Sequence, residues 1–217
     1  MVIDNFSVIR EHLDFYEPFD RYVVHVMKRD KDDSSVESTK SHLIQTWYVP
    51  SIEYFDKKAD IIRTLCDESH ARAYILPQVR SSRDCMKELA RIAIDGIDDP
   101  NIHPGRLVRR AFCGYHGSRA KRWILDLDND NMTDRRQDGD VKWTVETVVK
   151  HIGDILDANY IDRCEVWSVP TPNGHCVVTF PFDLTKSDCG LMFQGVHADG
   201  THGWLIKDGM MLLYANI

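Results

Sequence analysis

The sequence predicts an α+β protein with two parts that form one compact domain: an N-terminal α/β module over residues 1–117 and a core over residues 118–217. Three observations carry this expectation. Apolar runs rich in Val, Ile, Tyr and Trp alternate with segments whose apolar residues recur every three to four positions, so strands and helices are interleaved. The second half reads β-α-β-β-α-β, the split βαβ or ferredoxin-like plan. No internal repeat, low-complexity tract or long linker separates the halves, and 217 residues suit one domain or two small modules sharing a core.

In the first half, residues 22–29 and 42–49 read as strands, joined by the polar connector 30–40. Ser51 can cap a helix whose Ile52, Phe55, Ala59, Ile62 and Cys66 share one face. Residues 72–76 form another strand, stopped by Pro77, and Ser82 opens a second helix with Met86, Leu89 and Ala93 inward.

The second half begins with a strand over 122–128, followed by the Asp-, Arg- and Gln-rich loop 129–140. A helix over 144–158 carries Val145, Val148, Val149, Ile152 and Leu156 as its apolar stripe. Next come a strand over 164–169, the turn Pro170-Thr171-Pro172-Asn173-Gly174 and a strand over 175–181; Asn-Gly is a strong tight-turn signal. A short helix within 184–193 follows, then strand material at 203–206 and 210–214. In this plan the first strand lies between the third and the fourth, antiparallel to both.

The chemistry concentrates at Trp123-Ile124-Leu125-Asp126-Leu127-Asp128. Strand residues alternate faces, so Asp126 and Asp128 project from one side and Trp123, Leu125 and Leu127 from the other, toward a core. Adjacent carboxylates repel unless a cation lies between them, and Mg²⁺ is typically held by one or two carboxylates plus substrate phosphates. The bland alternative is a solvated turn entry, which Asp also favours. The plan sets the start of the third strand beside these acids. There Cys176, Val178, Phe180 and Phe182 make one face, while His175, Val177 and Thr179 make the other. His175 is thus expected on the open face with the acids, with Lys207 and Asp208 brought close by the fourth strand. A histidine at a turn can instead simply cap local backbone groups.

A net charge of −7 argues against bulk electrostatic coating of nucleic acid. Yet residues 101–124 hold no acid, while Arg106, Arg109, Arg110, Arg119, Lys121 and Arg122 are basic; a cationic tract leading to an acid pair suits a polyanion, or is a solvated face. Six scattered cysteines form no Cys-x-x-Cys pair, so reduced, mostly buried thiols are expected, and Cys113 with His116 lacks a second zinc-like pair. No apolar run approaches the roughly 20 residues of a membrane span. The first residues lack signal-peptide character, which makes the cytoplasm the expected location.

At these residues the chain resembles the archaeo-eukaryotic primase superfamily, which includes primase-polymerases of phages and mobile elements. The resemblance rests on Ile124-Leu125-Asp126-Leu127-Asp128, on Thr171-Pro172-Asn173-Gly174-His175 and on Leu205-Ile206-Lys207-Asp208, in that order within residues 118–217. It implies an RRM-like catalytic core. Asp126, Asp128 and Asp208 would hold Mg²⁺ or Mn²⁺, and His175, with Lys207, Arg122 and Asn173, would bind the incoming nucleotide. The implied reaction is two-metal nucleotidyl transfer, of the kind used in DNA replication. Its partners would be nucleoside triphosphates, a single-stranded template and a separate helicase or replication protein, in a host cytoplasm if phage-encoded. The sequence departs from many relatives in having one Gly in the turn, and it has no evident zinc-binding or helicase segment.

Three other readings compete. Asp126-Leu127-Asp128-Asn129-Asp130 opens like an EF-hand loop, but Asn131 stands where Gly belongs and Gln137 where the bidentate Glu belongs. Phosphatases of the haloacid-dehalogenase type also end a strand in Asp-x-Asp, but usually early in the domain and with Thr or Val where this chain has Asp130. The last alternative is a catalytically inactive binding or host-interaction protein on a primase-like scaffold, since folds outlive chemistry.

Overall fold

A computed structural model describes residues 1–30, 40–99, 101, 103–113, 121–128, 133–136, 139–142, 144–158, 166–182, 205–207 and 209–216. The chain divides into two units, Met1–Ala120 with Leu213–Ile217 and Lys121–Leu212. Both contain antiparallel sheets and helices, so the architecture is mixed α and β.

The first unit runs β1 (Val2–Asp4), α1 (Phe6–Arg10), β2 (Asp20–Arg29), β3 (Ser41–Val49), α2 (Ile52–Ser69), β4 (Arg72–Ile75), β5 (Arg80–Ser81), α3 (Ser82–Asp95) and α4 (Pro104–Cys113). β2 is the spine of its sheet, pairing antiparallel with β3, β4 and, at its start, β5. Its Val23, Val24 and Val26 are fully buried.

α2 forms where its spacing predicts. Ser51 Oγ accepts the Tyr54 N–H at 3.2 Å, and Phe55, Ala59, Ile62 and Cys66 turn into the core. In α3 the buried side chains are Cys85 and Ile92, while Met86 is exposed, so the inward stripe lies one position away from the expected one. The helix starts at Ser82, as expected, and Ser81 caps it, its Oγ accepting the Asp84 N–H.

The second unit runs β6 (Trp123–Asp128), β7 (Thr133–Arg136), β8 (Gly139–Lys142), α5 (Val145–Ala158), β9 (Trp167–Thr171), β10 (Gly174–Thr179) and β11 (Leu205–Lys207). Its sheet has the order β11-β6-β10-β9, with β6 antiparallel to both β10 and β11. Thr144 caps α5 reciprocally with Thr147. α5 lays Val148, Ile152, Ile155 and Leu156 against Leu125, Leu127 and Val177 of the sheet.

The charged stretch expected to be a loop instead forms the β7-β8 hairpin, with Arg136 paired to Gly139. The helix expected within 184–193 lies outside the described residues.

The last strand, β12 (Met211–Asn216), does not extend the second sheet as the expected boundary at 117/118 requires. It pairs with β1 and lies between β1 and β4 in the first sheet. Its alternate residues give no sign of this. Met211 to Ala215 are all buried, so the strand is covered on both faces, as a strand inside a sheet is.

Candidate functional site

The acid pair ends β6, the strand with neighbours on both sides. Asp126 is half-buried and pairs across the sheet with Cys176 of β10 and Leu205 of β11. Asp128 stands opposite Gly174; its side chain lies outside the described residues. Asn173 is exposed in the two-residue turn between β9 and β10, and this turn abuts the Asp128 end of the strand.

His175 does not join the acids. Directly opposed residues of an antiparallel pair project to the same face, and His175 is opposite Leu127 while Val177 is opposite Leu125. Leu125, Leu127 and Val177 all pack in the core beneath α5. His175 therefore lies on the helix-covered side, opposite to the face of Asp126. An electrostatic coupling to Glu146, in the first turn of α5, fits this placement. The Glu146 carboxyl is held below the usual range first by its own backbone N–H, then by Thr144, with the His175 charge adding to the effect.

The face of Asp126 is not the open surface expected of it, because Ile124, Cys176 and Val178 on that side are buried. Strand pairing explains the error. Alternation within β10 is read correctly from sequence, but its phase against β6 is set by the apolar pairing of Leu125 with Val177.

Of the expected cations, Lys207 starts from the position diagonal to Asp126 on the same face, and Arg122 from the far end of the strand. β11 runs antiparallel to β6, so it leads away from the Asp128 end: Leu205 is opposite Asp126, and Lys207 is opposite Ile124. Asp208 lies outside the described residues. The Arg122 guanidinium stacks over the Phe180 ring at 3.6 Å, before β6 begins. Four residues of strand, about 13 Å, separate its backbone from that of Asp126. Among the described residues, no group of three His, Cys, Asp or Glu side chains could hold a metal ion.

The first unit holds a polar cluster that sequence reading passed over. His25 sits in the apolar β2 run, 4% exposed. Its Nδ1 shares a hydrogen bond with Thr46 Oγ1 at 2.9 Å, and its Nε2 one with Cys113 Sγ at 3.2 Å. Burial, helped by the Arg109 charge, lowers the His25 pKa to about 4, so the ring is neutral at neutral pH. Burial also raises the Cys113 thiol above its ordinary value, against the pull of Arg80 and Arg109. A neutral imidazole beside a protonated thiol is a structural link between β2 and α4, not an activated nucleophile. The signal available in sequence was a single histidine within Val23-Val24-His25-Val26.

No protein-family model, curated protein or solved structure matches the chain. Among the described residues, no helix is long and apolar enough to cross a membrane.

Proposed function

We propose that the second unit is an RRM-like core that joins nucleotides by metal-dependent phosphoryl transfer at the Asp126–Asp128 end of β6. The observation that carries this reading is an apolar strand, paired on both sides in the order β11-β6-β10-β9, that ends in two acids beside the tight turn before Gly174. This is the strand order of the split βαβ plan.

Mg²⁺ or Mn²⁺ needs only one or two protein carboxylates when the nucleotide phosphates complete its shell, and Asp126 and Asp128 would provide them. Bound there, the metal supplies charge stabilisation for the transferring phosphoryl group. The chain's own part is to keep two carboxylates two residues apart on a strand clamped from both sides. Asn173, exposed on the adjoining turn, is the polar side chain best placed to meet a nucleotide at that end. His175 and Arg122 have no part in this reduced site, while Lys207, diagonal to Asp126 on the same face, would assist in binding phosphate. The polymer template and the helicase or replication partner belong to the same proposal.

A second reading is a primase-like scaffold that binds without catalysis. The specific observation in its favour is the separation of His175 from the acids, which leaves an expected triphosphate ligand on the other face of the sheet. Nucleotide incorporation on primed and unprimed single-stranded templates, with Mn²⁺ or Mg²⁺, separates the two. Incorporation that vanishes in Asp126→Ala and Asp128→Ala supports the enzyme. No incorporation under any of these conditions, with nucleic-acid binding retained, supports the scaffold.

A further inference from the structure

We propose that the arginine face of α4 is a docking surface for the phosphate backbone of a nucleic-acid strand. The choice of nucleic acid among polyanions rests in part on the nucleotide-joining reading above.

α4 is fixed by its C-terminal half. Ala111 and Phe112 are buried, the Phe112 ring lies 4.5 Å from that of Tyr48 on β3, and Cys113 reaches His25. Arg106, Arg109 and Arg110 are all exposed, Arg109 one turn before Cys113, where its charge also reaches the His25–Cys113 pair. They stand at i, i+3 and i+4, neighbours on one helical face.

Among the described residues these three arginines have no carboxylate partner, and they stand together on one short helix. Elsewhere in this unit Arg10 pairs with Asp56, Arg63 with Asp4 and Asp60, and Arg91 with Glu88 and Asp95. No ion pair to Arg106, Arg109 or Arg110 exists among the described residues. The chain carries a net charge of −7, so a solvated helix in it is expected to mix signs; α4 has no acid at all.

The start of the helix adds to the positive field. Pro104 opens it, His103 Nδ1 accepts the Gly105 N–H at 3.2 Å, and the positive end of the helix dipole lies in this first turn, which holds Arg106. Arg106 and Arg110 also border a hollow of about 330 Å³ between the end of α3 and the start of α4, shared with Asp95 and Asp99. Asp95 is held by Arg91, and Asp99 accepts the Asn101 N–H. Acids inside the hollow disfavour a small anion buried there and favour a strand lying along the outer arginine face. A membrane surface fits less well: helices that lie in bilayers present an exposed apolar face, and the bulky apolar anchor of α4, Phe112, is buried.

The test is fluorescence anisotropy with a short labelled single-stranded oligonucleotide, in EDTA, across a salt series. Each phosphate contact on a single strand contributes about −0.7 to the slope of log K against log salt. Arg106→Gln combined with Arg110→Gln is therefore expected to make the slope shallower by about 1.4 and to weaken binding at low salt, with an unchanged melting curve. Arg106→Lys with Arg110→Lys should keep the slope. An unchanged slope and affinity in the Gln variant overturns the proposal, as does absence of oligonucleotide binding by the unaltered protein. Binding to phosphatidylserine vesicles through these arginines, without oligonucleotide binding, also overturns it.

The two readings fail separately. Arginine-dependent binding without any nucleotide incorporation keeps this inference and ends the catalytic one. Incorporation with arginine-independent binding does the reverse.

Discussion

His25 and His175 sit on strands of different sheets, and they teach opposite lessons about what a histidine in a strand means. His25 is enclosed, shares hydrogen bonds with Thr46 and Cys113, and has its pKa pulled down to about 4. His175 is half-buried at the start of its strand, on the side covered by α5. The residue after the turn looked like the chemical one, yet the structure invests more interactions in the residue hidden among valines. A motif position marks where a function could be. Burial and partners mark what the fold depends on.

The widest difference between the two should appear on truncation. His25→Ala removes two hydrogen bonds and leaves a void between β2 and α4, so it should destabilise the protein by about 2–4 kcal/mol in urea unfolding. A loss near zero would break the contrast.

The pH dependence sharpens it next. The folded pKa of about 4 lies below the ordinary 6.5, so the unfolded chain takes up the proton first as pH falls. Stability from this neutral ring is complete above about pH 6.5, declines between about 6.5 and 4, and is gone below. The span amounts to about 3 kcal/mol. Urea unfolding of the wild type and His25→Gln across that window should show a wild-type excess that shrinks toward acid; a constant difference would refute the assignment.

A third test concerns the acids on the face opposite His175. Asp126→Ala and Asp128→Ala should lower nucleotide incorporation by about 100-fold or more, the scale of losing several kcal/mol of metal-borne charge stabilisation. Because Asp126 is half-buried on a covered face, Asp126→Ala should also cost about 0.5–3 kcal/mol of stability, too little to unfold the protein. Activity at the wild-type level in either variant rejects the site.

His175→Ala should have the smallest effect: within about 1 kcal/mol in stability and no change in nucleotide affinity measured by titration calorimetry. A clear loss of affinity would bring His175 back to the nucleotide, and with it the strand pairing now placing it beneath α5 would have to change.

Much of the local structure was legible because it is set by neighbours in sequence. The Ser51 cap and the spacing of Phe55, Ala59, Ile62 and Cys66 define α2, and Val148, Ile152 and Leu156 define the buried stripe of α5. The expected place of β6, between two strands and antiparallel to both, is also found, in the order β11-β6-β10-β9. The spacing of Asp126 and Asp128 needs nothing beyond the two-residue period of a strand.

Three things were decided only by tertiary structure. The phase of β10 against β6 comes from Val177 meeting Leu125 under α5, and a slip of one residue would have carried His175 to the face of the acids. The direction of β11 sets Lys207 opposite Ile124 rather than beside Asp126, because an antiparallel neighbour runs back along the strand it pairs with. Finally, β12 crosses to the first sheet and pairs with β1, joining residues as distant in sequence as Val2 and Asn216. Periodicity fixes which residues of one strand share a side. Only the packing of strands and helices from distant parts of the chain fixes which sides meet.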